Sequence, residues 1–401
     1  MSSRFRTITI REPVSRFVSV GEEATGDIDL EPVWDAVVQL YRQGLHPAIA
    51  LAVVHRGRLV LDRTIGHLEV DGDRLATPDS LFNLFSASKI LTATLVHALI
   101  ERGLLRLDER LVETMPGMDK YGKSSIRLRH LLQHTAGIPD MPGHLDPLVS
   151  LTDVGSVLED LFAVPSVSPP GAVVAYHPIS SWVLLGEIVR RRTGHNLQHW
   201  ARQLVLDPLG FETLNYGVPL DRIPDVAMHH YTGLTDVPLM ASIFKRTMGL
   251  TPEQAVEVSN DPRFLQAVLP SANVIGTPRE TARFLQLLLH GGTLDGVRVL
   301  KSSTVRRMLD WETKRGMDGT FGFPIRYGLG LMKGARMFSL FGPQTRNAFG
   351  HLGFSNVLVY ADPDRDLSVA FLNTGKPMLA PGMVPWALLV QRLAMRIRPG
   401  S

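Results

Sequence analysis

Strand patterns lie near the two ends of this 401-residue chain, and helix patterns fill the long stretch between them. Near the N-terminus, residues 49–54 and 59–64 are apolar segments that flank a short turn signal, which predicts a hairpin. Near the C-terminus, residues 356–360 and 367–372 predict two more strands. These positions predict an α+β fold, with an antiparallel sheet built from both chain ends, flanking helices and an inserted, mainly helical region.

The inserted region divides the chain into two predicted domains. The sheet domain is discontinuous and comprises residues 1–75 and 340–401, whereas residues 76–339 form the mainly helical domain. Two stretches, residues 138–175 and 207–275, contain many prolines, so we expect them to be mostly irregular and to shape the substrate site. Periodic apolar patterns with capping signals predict helices at 30–43, 128–133, 154–161, 180–193, 277–290 and 384–397.

The composition is that of a globular chain with a large core. Hydrophobic residues make up 44% of it, and the net charge of +3 is too small to indicate nucleic acid or an anionic membrane as a partner. Without cysteine, the chain can have no disulfide, thiolate metal site or cysteine nucleophile. No secretory signal and no membrane-spanning apolar tract is visible, so we expect a cytoplasmic protein.

Ser86 stands three residues before Lys89, at the start of an apolar run over residues 90–104. The run keeps the 3.6-residue period of a helix, so the serine and the lysine fall on one helical face. A helix N-terminus adds unpaired N–H groups and partial positive charge beside the hydroxyl. A free serine hydroxyl is a weak nucleophile and needs such a setting, which makes Ser86 the candidate nucleophile.

The Ser-x-x-Lys spacing is weak evidence by itself, because the chain contains a second copy, Ser242-x-x-Lys245. Polar residues follow it, and no long helix pattern lies behind it. We therefore interpret Ser242 as an ordinary serine and Lys245 as an exposed lysine.

Two further segments carry groups that a serine–lysine pair needs. Tyr176 lies in a loop just before a helix pattern, and an ammonium at Lys89 would stabilise its anion and lower its pKa, making it a proton acceptor. The alternative is a core tyrosine with a hydrogen-bonded hydroxyl. His351 and Gly353 precede the C-terminal strand pair, where glycine would let a backbone approach a substrate closely.

In chain order, these motifs resemble those of the penicillin-recognising serine hydrolases. Ser86-x-x-Lys89, then Tyr176 before a helix, then His351-x-Gly353 before a terminal hairpin follow the order of that superfamily. The similarity covers roughly residues 30–395 and resembles most the class C β-lactamase-like branch, which includes family VIII carboxylesterases.

The resemblance implies a β-lactamase/transpeptidase-like fold with a site between the sheet and the helical domain. It implies that Ser86 is acylated and that Lys89 and Tyr176 share the work of general base and acid. The backbone N–H groups of Ser86 and Phe354 would form the oxyanion hole. The positions that it assigns to substrate binding are His351 and Gly353.

The chain departs from the lactamase pattern in both later motifs. Pro178 occupies the third place of the usual Tyr-x-Asn motif and has no amide to hold a lactam side chain. His351 replaces the lysine of the usual Lys-Thr-Gly motif, which removes a permanent charge suited to a substrate carboxylate. Both changes favour a neutral ester. A rival second motif, Ser271-x-Asn273, does not match the family order, so we interpret it as a loop.

The sequence therefore predicts a serine esterase that cleaves small carboxylic esters without a cofactor. Three alternatives stay open: an acyltransferase, a β-lactamase or D-amino-acid peptidase, and a non-catalytic binding protein on the same fold. The chain lacks the Gly-x-Ser-x-Gly elbow of an α/β-hydrolase. His134, His229 and His230 lack metal-ligand spacing with acidic partners, so we predict no metal site and expect surface or core histidines.

Overall fold

The principal sheet is antiparallel throughout and takes its strands from both ends of the chain. The computed structural model describes residues 5–25, 28–141, 148, 151, 153–310, 313, 316–336, 339–378 and 383–400. Within these residues the sheet has eight strands, in the spatial order Arg326–Tyr327, Met332–Lys333, Phe349–Leu352, Leu358–Asp362, Leu367–Asn373, Ala48–His55, Arg58–Gly66 and Val18–Val20. The pairing of Ala48–His55 with Leu367–Asn373 joins the two chain ends, so the predicted α+β architecture is confirmed.

The sequence predicts the inner strands of the sheet better than its edges, one of which is the unpredicted strand Val18–Val20. The hairpin between Ala48–His55 and Arg58–Gly66 matches the prediction, and its turn places Arg56 and Gly57 at φ of 52° and 71°. At the opposite edge, Arg326–Tyr327 and Met332–Lys333 pair into the sheet. Both lie before residue 340, in the stretch that we expected to be helical.

The two faces of the sheet pack against different layers of helix, because successive side chains of a strand point to opposite faces. Along Ala48–His55, the odd-numbered apolar residues pack in the cluster that also contains the first helix, Glu31–Arg42, and the last, Met383–Arg396. The even-numbered alanines face the other way, toward Pro278–Leu289 and the helical region. Their small side chains let this second layer come close to the sheet.

The other helices of the described chain form the inserted region. They are Lys89–Glu101, Leu128–Leu132, Val154–Ala163, Ser180–Thr193, Leu197–Ala201, Asp207–Leu209, Pro238–Met248, Pro252–Asn260, Pro262–Gln266 and Ser302–Asp310, with shorter 3-10 turns at Phe85–Ser88, Leu111–Glu113, Pro116–Asp119 and Leu220–Asp225 and a π turn at Arg202–Leu206. Two more 3-10 turns, Val14–Phe17 and Pro363–Arg365, lie near the two chain ends. Positions 142–147, 149, 150 and 152 of the predicted loop at 138–175 lie outside the described residues.

Residues 207–275 are more regular than the sequence predicts. Three consecutive helices, Pro238–Met248, Pro252–Asn260 and Pro262–Gln266, occupy part of this stretch, so the prediction of an irregular segment is wrong there. Each begins with a proline, which is well tolerated in the first helical turn because its N–H would have no partner there. These three prolines therefore mark the starts of helices, although prolines in a sequence commonly indicate irregular structure.

Short strands outside the principal sheet bring distant segments together. Phe82–Asn83, just before the Ser86 turn, pairs with Val274–Gly276, which in turn pairs with Asn215–Tyr216. The remaining pairs are Phe5–Arg6 with Gly233–Leu234 and Thr293–Leu294 with Val297–Arg298. Among the described helices, none has the length and hydropathy that crossing a membrane requires.

Candidate active site

Ser86 lies where the 3-10 turn Phe85–Ser88 continues into the helix Lys89–Glu101. Phe85, directly before it, has a φ of +47°, which is rare for an aromatic residue. The side chain of Asn83 stabilises this bend, because its Oδ1 accepts a hydrogen bond from the N–H of Phe85 at 3.0 Å. The result is a half-buried serine at the start of an otherwise buried helix.

Lys89 is fully buried beside Ser86. Its Nζ donates hydrogen bonds to Ser86 Oγ at 3.0 Å and to the carbonyl oxygen of Ser271 at 3.2 Å. The same atom lies 5.3 Å from the ring centroids of Tyr176 and Trp182. No carboxylate of the described chain pairs with it, and burial lowers its pKa well below the usual 10.5. The site therefore favours a neutral amine beside the serine hydroxyl.

Tyr176 is also buried, with the Ser86 hydroxyl near its phenol. Burial raises the pKa of the phenol, and this effect outweighs the lowering that the Ser86 side chain produces. Our prediction that Lys89 lowers this pKa is wrong. The reason is that burial disfavours the phenolate, and the nearby Asp318 acts in the same direction.

The protonation states of the buried Lys89 and Tyr176 side chains are linked. A neutral amine with a neutral phenol contains as many protons as an ammonium with a phenolate, so the two states differ only in where one proton resides. Desolvation disfavours both ions. Lys89 is thus the acceptor available to Ser86, and Tyr176 is the available proton donor.

A loop that the sequence analysis did not assign to the site holds Tyr176 in place. Thr320 Oγ1 donates a hydrogen bond to the Tyr176 carbonyl oxygen at 2.9 Å, and the Phe321 ring stacks on the Tyr176 ring at 5.1 Å. Tyr327 donates its hydroxyl to Asp318 Oδ2 at 3.0 Å and lies 6.4 Å from Tyr176. Only the fold brings this loop to residue 176, so no local pattern could have found it.

His134 is a core histidine at the back of the site. Its ring packs 4.7 Å from the rings of both Tyr176 and Tyr327, and its Nδ1 accepts a hydrogen bond from the N–H of His177 at 3.0 Å. Burial, and then the charges of neighbouring groups, keep its pKa well below the usual 6.5. It therefore supports Tyr176 as a neutral packing group. His229 is likewise buried, whereas His230 is exposed, which agrees with the prediction of core or surface histidines.

The loop around Ser271 contributes backbone carbonyl groups to the site. The predicted loop is confirmed, but its position next to Lys89 could not be predicted from its side chains. Besides the Ser271 carbonyl, the Pro270 carbonyl accepts a hydrogen bond from Thr92 Oγ1 at 2.5 Å, one turn along the same helix as Lys89. Asn273 fixes the loop by donating to two backbone carbonyls and accepting one N–H.

Gly353 brings the end of the strand Phe349–Leu352 against the segment that precedes Ser86. A Cβ added to Gly353 would lie 2.5 Å from the carbonyl oxygen of Leu84, so a side chain would push the two segments apart. Beyond the glycine, the Phe354 ring makes an edge contact with Phe85 at 5.4 Å. The absence of a side chain at Gly353 thus lets the strand end pack closely against the backbone that leads into the Ser86 turn.

His351 is buried on the same strand and is neutral. Its Nδ1 donates to the carbonyl oxygen of Leu352 at 2.6 Å, and its Nε2 has no hydrogen-bond partner within the described residues. Burial lowers its pKa to about 3. The ring centroid lies 6.0 Å from that of Tyr176. The histidine therefore supplies no fixed charge for a carboxylate.

A cleft with a cavity volume of about 180 Å³ leads to Ser86. It lies between the nucleophile turn and the inserted helices, and apolar side chains dominate its walls. The residues that line it are Phe85, Ser86, Met141, Leu151, Val157, Pro178, Ile179, Val183, Phe244, Met248, Gly249, Leu250, Ala255, Val258, Phe264, Leu269, Pro270, Ser271, Ala272 and Phe354. None of them is charged.

Comparison with known proteins agrees with this arrangement. The beta-lactamase family model matches residues 35–392, which is most of the chain. The chain belongs to the beta-lactamase family. Its fold is the α+β arrangement of antiparallel sheet and flanking helices seen in the solved structures of penicillin-binding-protein homologues.

Individual relatives of this beta-lactamase-family chain span several activities. The esterase/beta-lactamase LipL of Mycobacterium tuberculosis is 27% identical over 338 residues, which cover 81% of this chain and 76% of LipL. A penicillin-binding-protein homologue from Caulobacter crescentus is 26% identical with a TM-score of 0.78, covering 93% of this chain and 99% of that one. A family VIII carboxylesterase structure has a TM-score of 0.79 at 24% identity with the same coverage, which shows the fold.

The structure brings together every side chain that the sequence analysis proposed for the site of this beta-lactamase-family protein. Lys89 Nζ lies 3.0 Å from Ser86 Oγ and 5.3 Å from the centroid of the Tyr176 ring, and the ring centroids of Tyr176 and His351 are 6.0 Å apart. No cluster of three or more histidine, aspartate or glutamate side chains in the described residues could hold a metal ion.

Proposed function

We propose that this protein is a serine hydrolase that cleaves small carboxylic esters through an acyl-enzyme on Ser86. The observation that supports it most directly is the buried Lys89 amine, 3.0 Å from Ser86 Oγ and lowered in pKa by burial. A neutral amine at that distance can accept the hydroxyl proton as the oxygen attacks, which is what a serine nucleophile requires.

Acylation follows from the positions of the three groups. Ser86 Oγ attacks the ester carbonyl carbon while its proton passes to Lys89, and the carbonyl oxygen becomes an oxyanion. We assign the stabilisation of this oxyanion to the backbone N–H groups of Ser86 and Phe354. Tyr176 then gives its hydroxyl proton to the departing alkoxide, and Lys89 passes the proton that it took from Ser86 to the phenolate. The alcohol leaves neutral, and Lys89 and Tyr176 return to their starting protonation states.

Deacylation uses the same groups in reverse. A water molecule occupies the place of the alcohol and attacks the acyl carbon, giving a proton through Tyr176 to Lys89. Lys89 passes that proton to Ser86 Oγ as the acid departs, which restores the neutral pair. Acyl transfer would differ only in the use of an alcohol in place of water.

Three features favour esters over β-lactams. Pro178 offers no side-chain amide at the cleft wall, and His351 carries no positive charge, so a lactam loses partners for both its acylamino group and its carboxylate. The walls of the cleft are apolar and uncharged. A charged hydrogen bond contributes about 1.5–3 kcal/mol, roughly one to two decades in rate if it is made in the transition state. We keep the cytoplasm as the predicted location.

The test is a comparison of two acyl donors on one preparation. We expect intact-protein mass spectrometry to show an acetyl adduct on Ser86 after p-nitrophenyl acetate. We also expect kcat/KM for p-nitrophenyl butyrate to exceed that for the cephalosporin nitrocefin by about ten- to a hundredfold. An equal or higher value for nitrocefin would replace the esterase with a lactamase. Absence of any adduct and of turnover with both compounds would favour the non-catalytic binding protein.

A further inference from the structure

Phe85, the residue before the candidate nucleophile, has a strained backbone that its surroundings must maintain. A φ of +47° costs free energy for an aromatic residue and persists only where neighbouring groups fix it. Groups from distant parts of the chain contact its ring, which lies 4.6 Å from the His229 ring, 5.4 Å from the Phe354 ring and 4.8 Å from Lys376 Nζ. Because this backbone leads directly into Ser86, the groups that hold the ring also set the direction of the Ser86 hydroxyl and N–H.

Lys376 is fully buried, like Lys89, but its partners are of a different kind. Its Nζ donates hydrogen bonds to the backbone oxygen of Asn373 at 2.7 Å and to the side-chain Oδ1 of the same residue at 3.0 Å, and the Phe85 ring is its third neighbour. Neither oxygen can donate a hydrogen bond, and the electron-rich face of a ring attracts a cation and repels a lone pair. The Ser86 hydroxyl beside Lys89, in contrast, can donate its proton. The contacts of Lys376 therefore favour an ammonium, whereas those of Lys89 allow a neutral amine.

The segment that carries Lys376 runs from the principal sheet toward the Ser86 turn. Asn373 ends the strand Leu367–Asn373, and the residues after it pair with a neighbouring segment. The N–H of His230 donates to the carbonyl oxygen of Thr374 at 3.0 Å, and the N–H of Lys376 donates to the carbonyl oxygen of His230 at 2.8 Å. The position of the lysine is thus fixed by the sheet and by its own backbone, independently of the turn that its amine contacts.

We propose that Lys376 is a positioning residue for the reaction at Ser86: its ammonium, held by Asn373, fixes the Phe85 ring and with it the backbone that directs the Ser86 hydroxyl and N–H. The inference rests on the proposed function, because it concerns the reaction at Ser86. It gives Lys376 no contact with the substrate and no proton transfer. Its effect is therefore on the rate of the chemical steps and not on substrate binding.

The charge of Lys376 should appear in the pH profile as an alkaline limb. Burial lowers the pKa of Lys376 well below 10.5, so kcat should fall as the pH rises through that pKa and the attraction to the Phe85 ring is lost. The titratable groups that face it among the described residues are His46 and His229. Burial, and then the charge of Lys376, lower the pKa of His46 to about 3 and that of His229 well below 6.5, so both are neutral in this range. Burial raises the pKa of Tyr176 above 10, so its titration lies beyond this limb.

Two buried lysines provide a matched pair of variants. Lys376→Met keeps the length of the side chain and removes its charge, and Lys123→Met does the same to another fully buried lysine, whose Nζ donates to the carbonyl oxygens of Leu161, Phe162 and Val164. For K376M we expect kcat for p-nitrophenyl butyrate to fall about ten- to thirtyfold, with KM within about threefold of the parent and no alkaline limb. K123M should lose stability too, but should keep kcat within about twofold and retain the limb. Parental kcat in K376M, a limb that persists in it, or a parent without a limb would overturn the inference.

A double-mutant cycle tests whether Lys376 acts through the ring. Phe85→Leu keeps apolar bulk but has no ring face, so adding K376M to F85L should lower kcat by less than about twofold. Losses that multiply would overturn the inference. Should circular dichroism show that K376M does not fold, Asn373→Ala removes one acceptor of the ammonium. It should move the midpoint of the alkaline limb down by about one pH unit or more, and an unchanged midpoint would overturn the inference equally.

The outcomes also distinguish this inference from the proposed function. If p-nitrophenyl esters acylate Ser86 in the parent but K376M has parental kinetics, the positioning role is wrong and the esterase stands. If no ester acylates Ser86 in the parent, the proposed function is wrong and the inference falls with it.

Discussion

The chain contains the spacing Ser-x-x-Lys twice, and the two copies lie in opposite environments. In the first, Lys89 is fully buried and its Nζ contacts Ser86 Oγ at 3.0 Å. In the second, Ser242 and Lys245 lie on one face of the regular helix Pro238–Met248, and both are exposed. The spacing puts a hydroxyl near an amine in both copies. The copies differ in burial, which lowers the pKa of the Lys89 amine.

The physical reason is desolvation. Water stabilises an ammonium, so an exposed lysine holds its proton and cannot accept one from a serine near neutral pH. At Lys89 the surrounding helices, aromatic rings and backbone carbonyls replace water, and the pKa falls. The oxyanion donors and the proton donor that we propose belong to the first copy.

The largest expected difference between the two copies is in turnover. Ser86→Ala removes the attacking oxygen and should lower kcat for p-nitrophenyl butyrate by about 10³-fold or more while the fold is retained. Ser242→Ala should leave kcat unchanged, because Ser242 is exposed and does not line the cleft that leads to Ser86. The check is steady-state kinetics on both variants with matched circular dichroism spectra. Turnover that survives in S86A, or an adduct on Ser242, would reverse the assignment.

The next largest effect concerns the coupling of Lys89 to Tyr176. Lys89→Ala and Tyr176→Phe should each lose almost as much kcat/KM as the double variant, since each protonation state depends on the other group. Lys245→Ala, the control from the exposed copy, should change kcat/KM by less than about twofold. A double-mutant cycle gives the answer, and losses that simply multiply would show that the two groups act independently.

The pH profile should show a smaller, graded effect. Because Lys89 must be neutral to accept the proton, kcat/KM should fall about tenfold for each unit below the pKa of Lys89, and this acid limb should lie well below pH 10.5. His351, with a pKa of about 3, stays neutral above pH 5, so His351→Asn should leave the midpoint of the limb unchanged. A midpoint near 10.5, or one that moves with the histidine variant, would contradict this account.

The smallest expected effect is on stability. Folding removes the proton of Lys89 below pH 10.5, so the unfolded state binds more protons and this lysine destabilises the fold more as the pH falls. Lys89→Met should therefore raise the free energy of unfolding. This gain over the parent should shrink by about 1.4 kcal/mol per pH unit as the pH rises toward 10.5. Lys245→Met should show no such dependence. Urea unfolding at pH 8 and 9.5 measures both, and an advantage of K89M that stays constant with pH would refute the buried neutral amine.

Much of the architecture followed from local pattern. The hairpin at Ala48–His55, the strand Leu367–Asn373 and the helix Ser180–Thr193 agree with the predictions, because alternation, turn residues and helical period are encoded within a few residues. The helices in residues 238–266 were missed because a proline at the first helical position reads locally like a break.

The sequence by itself determined the order and identity of the groups that we propose to react: a serine and a lysine on one helical face and a tyrosine before a second helix. It also determined the family to which the chain belongs. Only the tertiary structure decided how those groups are protonated and what surrounds them. The Ser271 carbonyl, the loop at Thr320 and the apolar helices reach Ser86 from far along the chain. Desolvation depends on every neighbour in space, so the lowered pKa of Lys89 and the raised pKa of Tyr176 are properties of the packed fold.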